Sequence, residues 1–416
     1  MKWNDEIRGS YGRELDGARI ILAMTGSVAV LRVVELARLL TRHGATIIPV
    51  MSRAATELVG PRLVHWATGM QPILELTGRN EHVLYAGNGD RPADMLLVAP
   101  ATANTIGKIA AAIDDTPITT FATVAIGQGV PVLVAPAMHA PMAHHPGVQR
   151  NLATLREFGV TVIPPVPAEG KAKMASSERV LDETIRTFST GRLRGKRVLV
   201  TAGRTVEYID PVRVITNNSS GKMGVALARA AYHAGAQVTL VYGKGTVDPP
   251  EAVDLVRVET ADAMHDAVMR HVGDPTEPID AVIAAAAVGD WKVEEKARKK
   301  LATADTKKLE LSLVPTPKII DSIKATSPDT RLVAFRAQHD MTRDDLLADA
   351  RGRMEKARAD MIAVNDVSLA GAGFETDTNA MSIIHSDGTT LDIPLSSKLY
   401  VAGRIVEELA KVLECP

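Results

Sequence analysis

The stretch 18–51, ARIILAMTGSVAVLRVVELARLLTRHGATIIPVM, decides the fold. It opens on an apolar run, ARIILAM (18–24), and closes on another, TIIPVM (46–51). Neither alternates apolar with polar residues, which is how a strand covered by helices on both faces reads. Between them Val30, Val33, Val34, Ala37 and Leu40 fall on one helical stripe, and Gly44 stands where the helix should stop. Strand, helix and strand in this order predict a parallel sheet.

The same style continues outward. MLLVAP (95–100), VPVLVAPAM (130–138) and VTVIPPV (160–166) read as further strands. It starts again at RVLVTAG (197–203), with a helix over 222–234 that stops at Gly235 and runs into QVTLVYG. The phrases RHGATIIPVM and HAGAQVTLVY are analogous joints, helix end into second strand. DAVIAAAAV (280–288), RLVAFRA (331–337) and DMIAVND (360–366) follow, and MSIIHSDGTTLDI reads as a hairpin turning at Asp387-Gly388. The expected class is α/β, with two doubly wound, Rossmann-like domains of mainly parallel sheet, the second carrying a C-terminal β-hairpin. The polar stretch STGRLRGK sets the boundary, giving domains 1–190 and 191–416.

At 416 residues the chain is too long for one ordinary core, which predicts two or three domains, and 46% hydrophobic and 23% charged residues are those of a globular soluble protein. Lys and Arg number 48 against 49 Asp and Glu, so the net charge of −1 gives no argument for a nucleic-acid or membrane-surface partner. The first residues, MKWNDEIRGSYGREL, lack the apolar core of a signal peptide, and no run of about 18 apolar residues suggests a membrane span. Cys415 is the single cysteine, so no internal disulfide forms; a reducing compartment fits this without following from it, and a cytoplasmic setting is the expectation.

No GxGxxG follows the first strand, which argues against an NAD-linked oxidoreductase. Thr25-Gly26-Ser27 follows instead. Alone, it reads as an ordinary tight turn or as a phosphate site at a helix start. The context adds Met51-Ser52-Arg53, APATANTIGKIA (99–110) and APAM before His139, all leaving strand ends. These segments are rich in small residues and hydroxyls and hold no paired carboxylates, which suits a phosphate and a flat ring rather than a metal.

Residues 17–188 resemble the flavin-dependent cysteine decarboxylases, in particular phosphopantothenoylcysteine decarboxylase. The matching stretches are the Gly26-Ser27 turn, VMSRAATELV, EHVLYA with His82, APATAN, and PAM at 136–138. The resemblance implies FMN held by Gly26, Ser27, Ser52, the loop residues Pro100, Thr102, Ala103 and Asn104, and Met138. It implies an essential histidine at His82 and trimeric packing with the site between subunits. The chemistry is coherent: a carboxylate β to a thiol has no electron sink until the thiol is oxidised, after which CO₂ can leave. The chain departs from the family in two places. His139 stands where the family has asparagine, and PAEGKAKMASSERV (167–180), read as a loop over the site, has no cysteine proton donor. Lys171 or Lys173 is expected to supply part of that function.

In the second half, TNNSSGKMG (216–224) opens a helix with amides, hydroxyls and Lys222. It reads equally as an anion site at Ser219, Ser220, Gly221 and Lys222 or as a polar capping loop. AAAAVGDWKVEEKARKKL (284–301) delivers Asp290 at a strand end, followed by Lys296, Arg298, Lys299 and Lys300. Such a cluster is a solvated face or a neutraliser of phosphates.

Residues 195–416 resemble phosphopantothenate–cysteine ligase. VLVTAGRTVEYIDPVRVITNNSSGKMG, AAAVGDW, KARK, AFRAQ and VNDVS…GFETDTNA carry the likeness. It implies activation of the 4′-phosphopantothenate carboxylate by CTP, then attack by cysteine on the acyl-cytidylate. It places Asn217 at the acyl-nucleotide step, Lys296 and Lys299 at the phosphates, and Asp290, Phe335 and Lys318 at the nucleotide, with Mg²⁺ bridging phosphates rather than a dedicated protein metal site. Gly203-Arg204-Thr205 and Arg298 depart mildly from the family pattern. A bifunctional enzyme of coenzyme A biosynthesis is thus expected. Its assembly would be homo-oligomeric, with trimeric first domains and dimeric second ones, as a dodecamer would combine. The alternative is an active ligase whose first domain is an FMN-binding oligomerisation module.

Overall fold

The quoted stretch folds as its apolar spacing requires. In the computed structural model, which describes residues 6–302 and 308–414, Arg19–Met24 and Thr46–Met51 are parallel neighbours. Cys415 lies outside the described residues. Ile20, Leu22 and Met24 pack with Val33, Leu36, Ala37 and Leu40 of the intervening helix, Val33–Arg42. Ile21 and Ala23 face the other way, against Ile106, Phe121 and Ala122. Both faces of the strand are covered, so no polar alternation is needed. Each buried Val, Leu, Ile, Met or Phe side chain here contributes about 1.5–3 kcal/mol, and each Ala less.

The helix begins as a 3₁₀ turn, Val28–Arg32, whose N-cap Ser27 accepts from the Ala29 N–H at 3.4 Å. It ends at Gly44, which has φ +107°, and a Cβ there would meet the Asp16 amide nitrogen at 2.7 Å. Gly235 occupies the same joint in the second half, with φ +101°.

The chain forms two compact units that divide between Phe188 and Ser189. The first sheet runs Thr46–Met51, Arg19–Met24, Met95–Ala101, Val132–Pro136, Thr161–Val162, all parallel, or 2-1-3-4-5 in chain rank. The second runs Asp254–Arg257, Gln237–Tyr242, Arg197–Ala202, Ala281–Ala284, Arg331–Gln338, Met361–Asp366, a 3-2-1-4-5-6 order of parallel strands. The antiparallel strands Thr378–His385 and Thr390–Ser397 extend it as the expected hairpin, with Gly388 at φ +89°. In such sheets ligands bind where the strand order reverses, beyond the carboxyl ends. The reversals fall between Arg19–Met24 and Met95–Ala101, and between Arg197–Ala202 and Ala281–Ala284.

Two readings need correction. VTVIPPV is not one strand: only Thr161–Val162 joins the sheet, because Pro164 and Pro165 have no N–H to give a ladder. Nor is 167–180 a loop. Val166–Ala168 and Lys171–Lys173 form a hairpin that pairs with Met138–His139, and a helix, Ser177–Phe188, follows. The hairpin turns at Glu169 (φ +52°) and Gly170 (φ +68°), the two positive values a type I′ turn needs. No described helix is long and apolar enough to cross a membrane.

Candidate functional site

At the first reversal three loops leave neighbouring strands, and Thr25 stitches two of them together. Its buried hydroxyl donates to the Pro100 carbonyl at 2.7 Å and accepts from the Thr102 N–H at 3.0 Å. The Ser52 N–H donates to the Met24 carbonyl at 3.0 Å, tying in the third. Ser27, Ser52 and Thr102 each cap the helical turn that follows, so three sets of free N–H groups open from these loops. Gly26 has to be glycine because a Cβ would run into the Ala54 methyl.

A cavity of about 580 Å³ lies here, walled by Gly26, Ser27, Leu31, Thr102, Ala103 and Met138, and by His139, Met142, Lys171 and Lys173. Its apolar walls suit a flat aromatic ring and its hydroxyl-capped turns suit a phosphate. His139 and Lys171 share one rung of the small sheet. Lys173 Nζ is bound to Glu169 at 2.9 Å and holds that carboxyl below its ordinary range, whereas Lys171 is exposed at the cavity. Ser52 and Pro100 support the wall without lining it, and Asn104 is exposed on the next helix. His82 is not on the wall. It sits half-buried on the short helix Glu81–Ala86, its Nδ1 buried without a hydrogen-bond partner.

At the second reversal two cavities share Phe335 and Arg336. One, about 280 Å³, is lined by Asn217, Ser219, Ser220, Gly221 and Lys222, with Asn365, Phe374 and Lys398. The other, about 300 Å³, is lined by Thr201, Asp290, Lys318, Arg353 and Lys356. Gly221 takes φ +82° to turn the chain into the Lys222–His233 helix, and Gly224 has no room for a Cβ against Ala202. Asn217 Nδ2 donates to the Val288 carbonyl at 3.2 Å, and Ser220 Oγ to the Phe374 carbonyl at 2.6 Å. The cations are mostly engaged. Lys222 pairs with Asp377 at 2.6 Å, Arg336 with Asp349 at 2.8 Å, Arg353 with Asp321 at 2.7 Å, and Lys318 with Asp290.

Comparison with known proteins joins these two crevices to one family. Residues 8–189 match the flavoprotein family model, and residues 193–413 match the DNA/pantothenate metabolism flavoprotein C-terminal domain. The chain is 42% identical over 407 residues to the coenzyme A biosynthesis bifunctional protein CoaBC of Thermococcus kodakarensis, covering 98% of each chain. It is 34% identical to that of Bacillus subtilis over 408 residues, 95% of this chain and 97% of the relative. The chain belongs to the bifunctional coenzyme A biosynthesis proteins. In this family's terms, the first crevice is that of a flavoprotein domain and the second that of a ligase domain.

The structure does not gather every family position. Lys296 and Lys299 lie off both cavity walls. Lys296 Nζ rests 4.4 Å from the Tyr208 ring centroid, and Tyr208 in turn donates to Glu259 at 3.0 Å. The strap behind it is pinned by Ala297 N–H to the Ile209 carbonyl (2.9 Å) and Leu301 N–H to Asp210 Oδ2 (3.1 Å). Conversely, Arg336, Arg353, Lys356 and Lys398 line the cavities but were not picked out from sequence. Arg336 stood inside the quoted AFRAQ, one residue past Phe335, and was the most readable of them. Lys398 is buried, and that burial, with Lys222 nearby, pushes its ammonium down to about 8 against the pull of Asp377. Among the described residues no group of three His, Cys, Asp or Glu side chains could hold a metal.

Proposed function

We propose that the second unit joins cysteine to 4′-phosphopantothenate at the expense of CTP, and that the first decarboxylates the product with FMN. One observation carries the reading: a single chain has two separate crevices at strand-order reversals, one apolar and hydroxyl-capped, one lined with cations.

In the first unit the fit to FMN rests on the hydroxyl-capped turns and the methionine-lined wall. Ser27, Ser52 and Thr102 would hold the phosphate end, and Ala103 and Met138 would lie along the ring, with Pro100 and Asn104 shaping the loop. The bound flavin would supply the two-electron oxidation that makes the substrate's carboxylate labile. His139 and Lys171, on one rung, would orient that carboxylate and hold a proton near the thiol. His82, off the cavity wall, would take part in decarboxylation as the family resemblance implies; its Nδ1 is buried and has no hydrogen-bond partner. The exposed apolar residues at the cavity mouth, Val28 (71% exposed) and Leu31 (61%), suit cover by another copy of the chain.

In the second unit, Ser219, Ser220, Gly221 and Lys222 would cradle phosphates at the start of a long helix. Asp290, Lys318 and Phe335 would contact the nucleotide, with Asp290 placed to meet phosphate-borne Mg²⁺. Asn217 would steady the acyl-nucleotide, and Lys296 and Lys299 would add charge as the strap moves in. A cytoplasmic homo-oligomer completes the reading.

Mass spectrometry of the purified protein given 4′-phosphopantothenate, CTP, Mg²⁺ and cysteine tests it. The expected product is 4′-phosphopantetheine. Accumulation of 4′-phosphopantothenoylcysteine would leave only the ligase, and no acyl-cytidylate at all would sink the nucleotide assignment.

A further inference from the structure

Lys398 opens the C-terminal helix, Lys398–Glu414, directly after the last strand, and only 6% of it is exposed. Its ammonium donates to three carbonyls of one segment: Gly373 (3.1 Å), Phe374 (3.2 Å) and Thr376 (2.6 Å). Its own N–H donates to a fourth, Asp377, at 2.9 Å. Burying an ammonium is costly unless its N–H bonds are all used, and here they are. A methionine of similar length would fill the space without that cost, so packing alone does not account for the lysine.

The segment it gathers is held from the opposite side by the phosphate-cradling turn. Ser220 Oγ donates to the Phe374 carbonyl at 2.6 Å. Lys222 Nζ donates to the Glu375 carbonyl at 2.8 Å and pairs with Asp377 at 2.6 Å. Lys398 and the 219–222 turn therefore clasp the same backbone, across more than 150 residues of sequence. Inside the clasp, Thr376 Oγ1 donates within the segment and Asn365 Nδ2 donates to the Ala372 carbonyl at 3.2 Å.

We propose that Lys398 is a positioning residue for nucleotide binding: by fixing segment 371–378 it sets where the Ser220 hydroxyl and the Lys222 ammonium point. The proposal rests on the reading of the 219–222 turn as the phosphate cradle. It assigns Lys398 no contact with the reacting atoms. Without the ammonium, the Gly373, Phe374 and Thr376 carbonyls lose their common partner, the segment loosens around Phe374 and Asp377, and Ser220 and Lys222 lose the fixed acceptors that aim them.

Lys398→Met in the full-length protein tests this. The KM for CTP should rise about tenfold with kcat within about twofold, the pattern of lost ground-state binding. The KM for cysteine should not move, nor should decarboxylation of supplied 4′-phosphopantothenoylcysteine by the same protein. Lys398→Arg, which keeps charge and donors, should recover most of the CTP affinity. Hydrogen exchange adds a readout independent of turnover: amides of 371–378 and 219–222 should speed up together. An unchanged KM for CTP, or faster exchange in 371–378 alone, would overturn the proposal. So would a fall in kcat and melting temperature at constant KM, which marks a merely structural lysine. If Lys398→Met does not fold, Lys398→Gln carries the same measurements. Failure of the wild-type protein to form an acyl-cytidylate would instead strike the reading beneath it.

Discussion

The first unit meets its ligand with apolar walls and hydroxyl-capped turns, whereas the second meets it with cations that are already occupied. Both sit at the same kind of place, a reversal of strand order in a parallel sheet. The difference lies in what each must do next. A preformed apolar slot suits a cofactor that stays. A cation paired with a carboxylate offers little net charge to an arriving phosphate until the pair is shared or broken. Lys222, Lys318, Arg336 and Arg353 are all in that state, so the second crevice is set for a substrate that comes and goes. On the proposed reading, further charge would come from the strap bearing Lys296 and Lys299, where Lys296 rests on the Tyr208 ring.

The comparison breaks most visibly at Lys296. Lys296→Ala should lower acyl-cytidylate formation about 10²–10³-fold, as loss of a group that stabilises developing charge does, and leave decarboxylation untouched. Ligation at the wild-type rate, followed by mass spectrometry of the acyl-nucleotide, would mean that the crevice's own cations suffice. The next effect sharpens the first unit. Lys171→Ala should slow CO₂ release about tenfold, one charged hydrogen bond's worth, and Lys173→Ala less than about twofold, because Glu169 already holds Lys173. Equal losses would erase the distinction between the lysines.

The smallest effect is on acid stability. In the second unit, hydrogen bonds from the Ser368 hydroxyl and amide hold Asp366 down to about 2. Asp349 is lowered by Arg336, Asp377 by Lys222, and Asp392 by Ser382 and Arg343. A carboxyl whose folded value is depressed contributes stability above its unfolded value, near 4, and loses it as pH falls through the folded one. Ligase should therefore fail before flavin is released on acidification from about pH 4 towards 2, and Asp366→Asn, which lacks that contribution at every pH, should lose ligase at a still higher pH. Flavin release preceding loss of ligase would reverse the ranking of the units.

The sheets were legible because buried parallel strands leave unbroken apolar runs, as in Ile20–Met24 and its counterpart at Val198–Val200. The glycine joints were legible because only glycine suits φ near +100° at Gly44 and Gly235. The small sheet over the flavoprotein cavity was not. Strands of two and three residues carry no periodicity, and Glu169-Gly170 is an uncommon spelling of a turn usually written Asn-Gly or Asp-Gly. Arg353, Lys356 and Lys398 were hidden for another reason: they reach the crevices from two helices far apart in sequence, and a lysine on a helix reads as a solvated face. His82 and Lys296 were found through resemblance, and the geometry sets both away from the cavity walls.

The strand Thr390–Ser397 ends the second sheet, and among the described residues one side of its backbone has no neighbouring strand. An open edge of that kind is a template for another chain's strand. Here Pro394 supplies no donor, and Asp392 keeps a carboxylate on the edge, tied to Arg343 and Ser382 at 2.6 Å each. A largely parallel sheet thus finishes on an antiparallel border that is poorly suited to the addition of another strand.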